Sequence, residues 1–166
     1  MKIGVLSDTH SYLDPKVFKF FEHCQQVWHA GDIGSCAVTD QLKQKFDLKA
    51  VFGNIDDAEI RKEFKEDLIF DAGGKKVLIT HIAGKPYTYN ARVAKLLIEH
   101  KPDIIVCGHS HILRVEFDKK YKVLFLNPGA AGIHGFHKVK TLLRFEIIDG
   151  DLKNMEAIEM GPRVGI

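Results

Sequence analysis

Apolar and polar positions follow two different rhythms along this chain. Up to about residue 108, short apolar runs are separated by amphipathic stretches, the pattern of an α/β protein. KIGVLSD (2–8) reads as a buried strand. DPKVFKFFEHC (14–24) opens on Asp-Pro, a helix-start pairing, and spaces Val17, Phe20, Phe21 and Cys24 along one helical face. QVWHAGD (26–32) predicts a second strand, CAVTDQLKQKF (36–46) a second helix and LKAVFGN (48–54) a third strand. A short helix is expected near Asp57–Phe64. In DLIFDAGGKKVLITHI (67–82), Gly-Gly between two apolar runs signals a hairpin. NARVAKLLIEHK (90–101) is a periodic helix that stops ahead of Pro102, and DIIVCG (103–108) is another buried strand.

The rhythm then becomes that of an antiparallel protein. LRVEFDKKYKVLFLNPG (113–129) and TLLRFEIIDGDLKNMEAIEM (141–160) each read as two strands around a polar turn. Two stacked sheets, each covered by helices, would absorb both halves. No repeat, low-complexity tract or linker interrupts the pattern, so the expectation is a single domain over 1–166.

Composition narrows the class. Hydrophobic residues at 45% and charged residues at 28% are ordinary for a soluble globular protein. A net charge of +2 makes no general electrostatic case for nucleic acid or an anionic membrane. Cys24, Cys36 and Cys107 are odd in number, far apart and without a CxxC pair, which predicts reduced structural thiols in a cytoplasmic protein. The chain opens directly on a strand pattern rather than on a cleavable signal. No apolar run approaches the ~20 residues that span a bilayer.

The informative step is to read where each strand ends. The strands run out into SDTH, HAGD, FGNID, THIAG and GHSH. In open α/β sheets, ligands bind beyond the carboxyl ends of the strands, where the loops gather. Five strand ends thus carry Asp8, His10, Asp32, Asn54, His81, His109 and His111. Each has a bland reading alone: Asp8 as a helix cap, Asn54 as a turn residue, His81 as a satisfied core histidine. Together they form a metal-type donor set of four imidazoles, two carboxylates, one amide and no thiolate. Seven donors exceed a tetrahedral zinc site. So many imidazoles do not suit calcium or magnesium, which prefer oxygen. Two transition metals sharing a carboxylate would use all seven. Such a pair clamps the attacking and leaving oxygens of a phosphoryl displacement and lowers the pKa of a bridging water towards ~7. The residual positive charge suits a phosphate anion.

These motifs, in this order and at these strand ends, resemble the calcineurin-like metallophosphoesterases, and most of all their small prokaryotic phosphodiesterases. The retromer small subunit shares that fold. The resemblance runs from Met1 to about Gly129, where NPG also recurs. It implies a four-layer α-β-β-α sandwich of two mixed sheets flanked by helices. It implies that Asp8, His10 and His111 bind one metal, that Asn54, His81 and His109 bind the other, and that Asp32 bridges them. The metals would be two divalent transition ions, manganese foremost, with iron, zinc, cobalt or nickel as alternatives. The expected activity is hydrolysis of a small phosphodiester by a metal-bridging hydroxide, with Asp32, Asn54 and His109 at the reacting centre.

One departure stands out. Many larger members carry a histidine after the Gly-Asn pair that helps protonate the leaving group, and here that position is Ile55. His134 and His137, in the Gly-rich GIHGFHKVK, are the candidate substitutes. GKPYTYNAR (84–92) is a second candidate substrate loop, with Lys85 for a phosphate and Tyr87 or Tyr89 for stacking; its bland reading is the approach to the next helix. Asp56 and Asp57 are expected to cap the helix after GNI. Two other functional readings stay open: a non-catalytic protein-binding scaffold, and a metal-dependent nuclease, which the near-neutral charge disfavours. A homodimer or higher homo-oligomer is also open.

Overall fold

A computed structural model describes residues 1–164. Its elements, in chain order, are β1 (Lys2–Leu6), α1 (Lys16–Phe20), β2 (Gln26–His29), α2 (Cys36–Lys43), β3 (Asp47–Ala50), α3 (Ala58–Glu63), β4 (Asp67–Ala72) and β5 (Lys75–Thr80). There follow β6 (Gly84–Lys85), β7 (Thr88–Tyr89), α4 (Ala91–His100), β8 (Ile104–Val106), β9 (Leu113–Asp118), β10 (Val123–Pro128), β11 (Val139–Ile148) and β12 (Asp151–Pro162). One sheet has the order β12-β11-β1-β2-β3, the other β4-β5-β8-β10-β9. Both are mixed: β1-β2-β3 and β5-β8-β10 run parallel, while β11, β12, β4 and β9 pair antiparallel.

Strand alternation decides which side chains meet. Ile3 and Val5 of β1 point into a core shared by the two sheets, joined by Trp28, Val77, Ile79, Ile104, Val106, Leu143 and Phe145. Trp28 lies edge-on to Phe70 of the facing sheet and to Phe145 of its own, each at 5.5 Å. Leu6 and Val27 point the other way, against Val17 and Phe21 from α1 and its last turn and Val38 and Leu42 of α2. Gly4 lies directly beneath the Phe21 ring, where a Cβ would sit 2.6 Å from Cδ1. On the far side, Leu78 and Ile105 meet Val93 and Leu97 of α4. The layers are therefore helix, sheet, sheet, helix, as expected.

The helix expected over 14–24 is regular only at Lys16–Phe20 and continues as turns to Cys24. Its start is as read: Asp14 accepts from the Lys16 N–H at 3.0 Å. Asp57 caps α3, accepting from the N–H groups of Glu59 and Ile60, but Asp56 does not share that role. Among the described residues, no helix is long and apolar enough to cross a membrane.

Candidate metal centre

The carboxyl ends of the parallel strands from both sheets open on the same edge of the sandwich, and their loops interlock. The Asp8 N–H donates to the Gly31 carbonyl at 3.0 Å, the His10 N–H to Asp32 at 3.0 Å, and the Gly108 N–H to His81 at 3.1 Å. Gly132, beyond β10, donates to the Asp8 carbonyl at 3.1 Å. Two glycines allow the loops to close this tightly. A Cβ on Gly53 would overlap Asp32, and one on Gly108 would overlap Ser7 Oγ and lie 2.7 Å from Asp8 Oδ2.

This packing brings all seven strand-end donors together. Asp8, His10 and His111 form one group whose ligand atoms lie within 4.8 Å of one another; Asp32, His81 and His109 form a second by the same measure. Asn54 joins the second group through its Oδ1, 3.1 Å from His81 Nε2. Asp32 touches both groups, with Oδ2 3.6 Å from His10 Nε2 and Oδ1 3.2 Å from His81 Nε2. The carboxylates are buried, Asp8 completely and Asp32 to 3% exposure. Five of the seven residues have left-handed backbones, with φ from 46° to 67° at Asp8, His10, Asp32, His109 and His111. Asp, Asn and His tolerate this region better than most residues, and each of these turns a side chain inward.

Hydrogen bonding shows that the donors fit divalent cations. His81 Nδ1 lies 2.7 Å from the Ala30 carbonyl, which can only accept, so Nδ1 carries a hydrogen and the ring, when neutral, presents a bare Nε2. That Nε2 faces oxygens of Asp32 and Asn54 and lies 4.0 Å from Asp8 Oδ1. Acceptors crowded around that nitrogen call for positive charge among them, either a proton on Nε2 or a metal ion in its place. His10 Nε2 is buried and has no hydrogen-bond partner among the described residues, the same signature on the other side of Asp32.

Electrostatics agree. Burial favours a neutral Asp32, but hydrogen bonds from His81 and the Ile55 N–H, with the charge on nearby histidines, hold its carboxyl below the usual range. Burial likewise disfavours a charged His81, yet Asp32 and Asp8 outweigh it and raise the imidazole pKa. At His10, burial wins and lowers it.

His134 and His137 also reach the centre. The His134 ring stacks on His10, with centroids 5.3 Å apart and planes at 29°. His137 contacts His111. A cavity of about 490 Å³ opens over His10, Asp32, Asn54, His109 and His111, walled on its apolar side by Ile55, Ile112 and Phe136. Phe136 is fully exposed at its mouth. The other candidate loop lies apart. Tyr89 packs edge-on to Tyr121 at 5.3 Å, while Lys85 borders a separate cavity of about 210 Å³ beyond Ser110 and Ile112.

Two contributors escaped the sequence reading. Asp56 is buried and accepts from the N–H groups of Ile33 (3.1 Å), Gly34 (2.7 Å) and Gly53 (2.7 Å), stapling the Asp32 loop to the Asn54 loop. The signal was the Asp-Asp pair itself, since a helix has one N-cap position and the spare carboxylate needs another use. His29 is fully buried beneath the same loops, its Nδ1 accepting from the Gly31 N–H at 3.2 Å and its Nε2 2.9 Å from Thr9 Oγ1. A histidine inside the apolar run QVWHA was the signal there.

Comparison with known proteins places this arrangement. The family model of the calcineurin-like phosphoesterase superfamily domain matches residues 1–150. A probable metallophosphoesterase of Methanocaldococcus jannaschii is 32% identical over 157 residues, covering 90% of this chain and 77% of that protein. Among solved structures, an archaeal phosphodiesterase superposes with a TM-score of 0.76 at 22% identity, covering 96% of this chain and all of the other. Vps29 of Entamoeba histolytica, solved in complex with zinc, superposes with a TM-score of 0.71 at 20% identity, covering 96% and 99%.

Proposed function

The chain belongs to the calcineurin-like phosphoesterase superfamily, and from this premise we propose that it is a dinuclear metal-dependent phosphodiesterase acting on a small diester. The observation that carries the reading is the pair of donor groups sharing Asp32. In it, Asp8, His10 and His111 hold one divalent ion, Asn54, His81 and His109 hold the other, and Asp32 belongs to both. When bound, such ions supply Lewis acidity towards a phosphoryl oxygen and bring the pKa of a water towards ~7.

The chain's own groups do the rest. The Ala30 carbonyl keeps the His81 proton on Nδ1 and so keeps Nε2 turned to the centre. The His109 N–H, 3.1 Å from Asp8 Oδ2, fixes that carboxylate in the buried floor. Ile55 lines the cavity where larger relatives place an acid, and His134, stacked on His10, is the group that delivers a proton to the leaving oxygen. Ile112 and Phe136 offer an apolar surface to the leaving group. No serine or cysteine nucleophile is needed.

The test is metal content of the purified protein, measured alongside hydrolysis of bis-p-nitrophenyl phosphate with added manganese. About two ions per chain is expected, with turnover abolished in His109→Ala and Asp32→Ala. The fold shared with Vps29 leaves a protein-binding scaffold as the second reading. Folded protein that takes up no manganese, iron, zinc, cobalt or nickel would overturn the phosphodiesterase and put the scaffold in its place.

A further inference from the structure

His81 and His111 sit on opposite sides of the centre, and both turn a ring Nε2 towards buried carboxylate oxygen. His81 is held there by a backbone carbonyl. Among the described residues His111 Nδ1 has no such carbonyl; its neighbour is His137 Nδ1, at 3.2 Å. Two ring nitrogens at that distance require one hydrogen between them, and the rest of the contact network decides which ring supplies it.

His137 Nε2 lies 2.9 Å from the Gly132 carbonyl oxygen. That oxygen can only accept, so His137 carries its hydrogen on Nε2 and, as a neutral ring, a lone pair on Nδ1. The hydrogen between the rings must then belong to His111 Nδ1, which leaves the His111 lone pair on Nε2, 3.1 Å from Asp8 Oδ1. We propose that His137 is a positioning residue: the relay Gly132 carbonyl–His137–His111 fixes the His111 tautomer and aims its bare Nε2 at the ion shared with Asp8 and His10. Outer contacts that orient a ligating histidine contribute 10–100-fold to metal affinity. The inference rests on those three residues holding an ion, as proposed above.

The loop around the relay is built to hold it. The Gly132 N–H is anchored on the Asp8 carbonyl at 3.1 Å, tying the end of the relay to the loop of the ligand it serves. Gly135, at φ +120°, crosses over the two rings, and a Cβ there would overlap His111 Nδ1 and lie 3.3 Å from His137 Nδ1. From the end of β12, Arg163 donates through Nε to the His137 carbonyl at 3.0 Å and through Nη1 to the Ile133 carbonyl at 3.2 Å. The rings meet edge-on, with centroids 5.1 Å apart and planes at 71°. Loop position, ring orientation and proton placement therefore agree. With both its nitrogens engaged, His137 is not free to serve the leaving group, which leaves that task to His134.

Two substitutions separate a relay from mere filling of space. His137→Phe keeps a ring of similar shape without an acceptor. His137→Asn places Oδ1 close to where Nδ1 stood and restores an acceptor for His111. Zinc titration followed by calorimetry should show one of two sites weakened 10–100-fold in the Phe variant, the other unchanged, and most of the loss recovered in the Asn variant. In wild type labelled with 15N-histidine, long-range 15N–1H correlation should show His137 as the Nε2–H tautomer with and without zinc, and His111 as Nδ1–H with zinc. That spectrum needs no variant to fold. The relay is overturned if the Phe variant binds both ions like wild type, or if His137 carries its hydrogen on Nδ1. Wild type that binds two zinc ions in this tautomer pattern yet hydrolyses no diester would overturn the phosphodiesterase reading and leave the relay standing.

Discussion

His29 makes the fold acid-sensitive in a way that can be isolated. Its imidazole is wholly buried, accepts from the Gly31 N–H and meets Thr9 Oγ1, which in turn donates to the Ile33 carbonyl at 3.0 Å. Burial pushes its pKa down to about 4 from the ordinary 6.5. Between these values the unfolded chain takes up a proton that the native ring refuses, so stability falls as the pH drops from 6.5 towards 4. At pH 7 this contribution is close to zero; by pH 5 linkage gives a loss of about 2 kcal/mol, and by pH 4 about 3 kcal/mol. His29→Asn keeps an acceptor for Gly31 and cannot titrate. Urea unfolding of both proteins, in chelator so that metal linkage is absent, measures the difference between pH 7 and pH 5. Wild type should lose about 2 kcal/mol more than the variant, because every other histidine is common to both and cancels. Equal losses would refute a neutral, buried His29.

Gly108→Ala should fold yet lose metal affinity, because the new methyl strikes Ser7 and Asp8; zinc titration at fixed pH reads it, and wild-type affinity would contradict the close approach. Asp56→Ala strands three backbone N–H groups and should cost about 3 kcal/mol or more in urea unfolding. Its metal uptake should fall as well, since the Asp32 and Asn54 loops lose their common staple. His134→Ala should lower diester turnover about 10²-fold or more, with a steeper dependence on leaving-group pKa, as expected of a lost general acid. An unchanged slope would remove His134 from proton delivery.

The layers were legible because β-alternation and helical periodicity are local properties of the sequence. Ile3 and Val5 could be assigned to one face, and Val93 and Leu97 to a helix stripe, without knowledge of their partners. The donor set was legible for a related reason: apolar strands that stop abruptly at Asp, His or Asn reveal their carboxyl ends, and parallel strands bring those ends to one edge. What could not be read were contacts between loops distant in sequence. His10 meets His134 across the chain, His111 meets His137 through a fold in a glycine-rich loop, and Asp56 reaches back to Gly34. None of these is periodic. Asp56 looked like a cap because it precedes a helix; only burial beneath Ile33 and Gly53 distinguishes it from Asp57. β6 and β7, two residues each, are too short to leave any pattern.

The five left-handed residues at the donor loops set fold and chemistry against each other. Each such backbone costs about 1 kcal/mol, or about 5 kcal/mol together, against a typical total stability of about 5–15 kcal/mol. Glycine at any of these positions would relax the backbone and delete a ligand in the same step. A laboratory selection for heat resistance alone, run in chelator, should therefore erode Asp8, His10, Asp32, His109 and His111 before it touches the hydrophobic layers. The same selection run with metal should keep them, because the bound ion would return to the native state more than the turns withdraw.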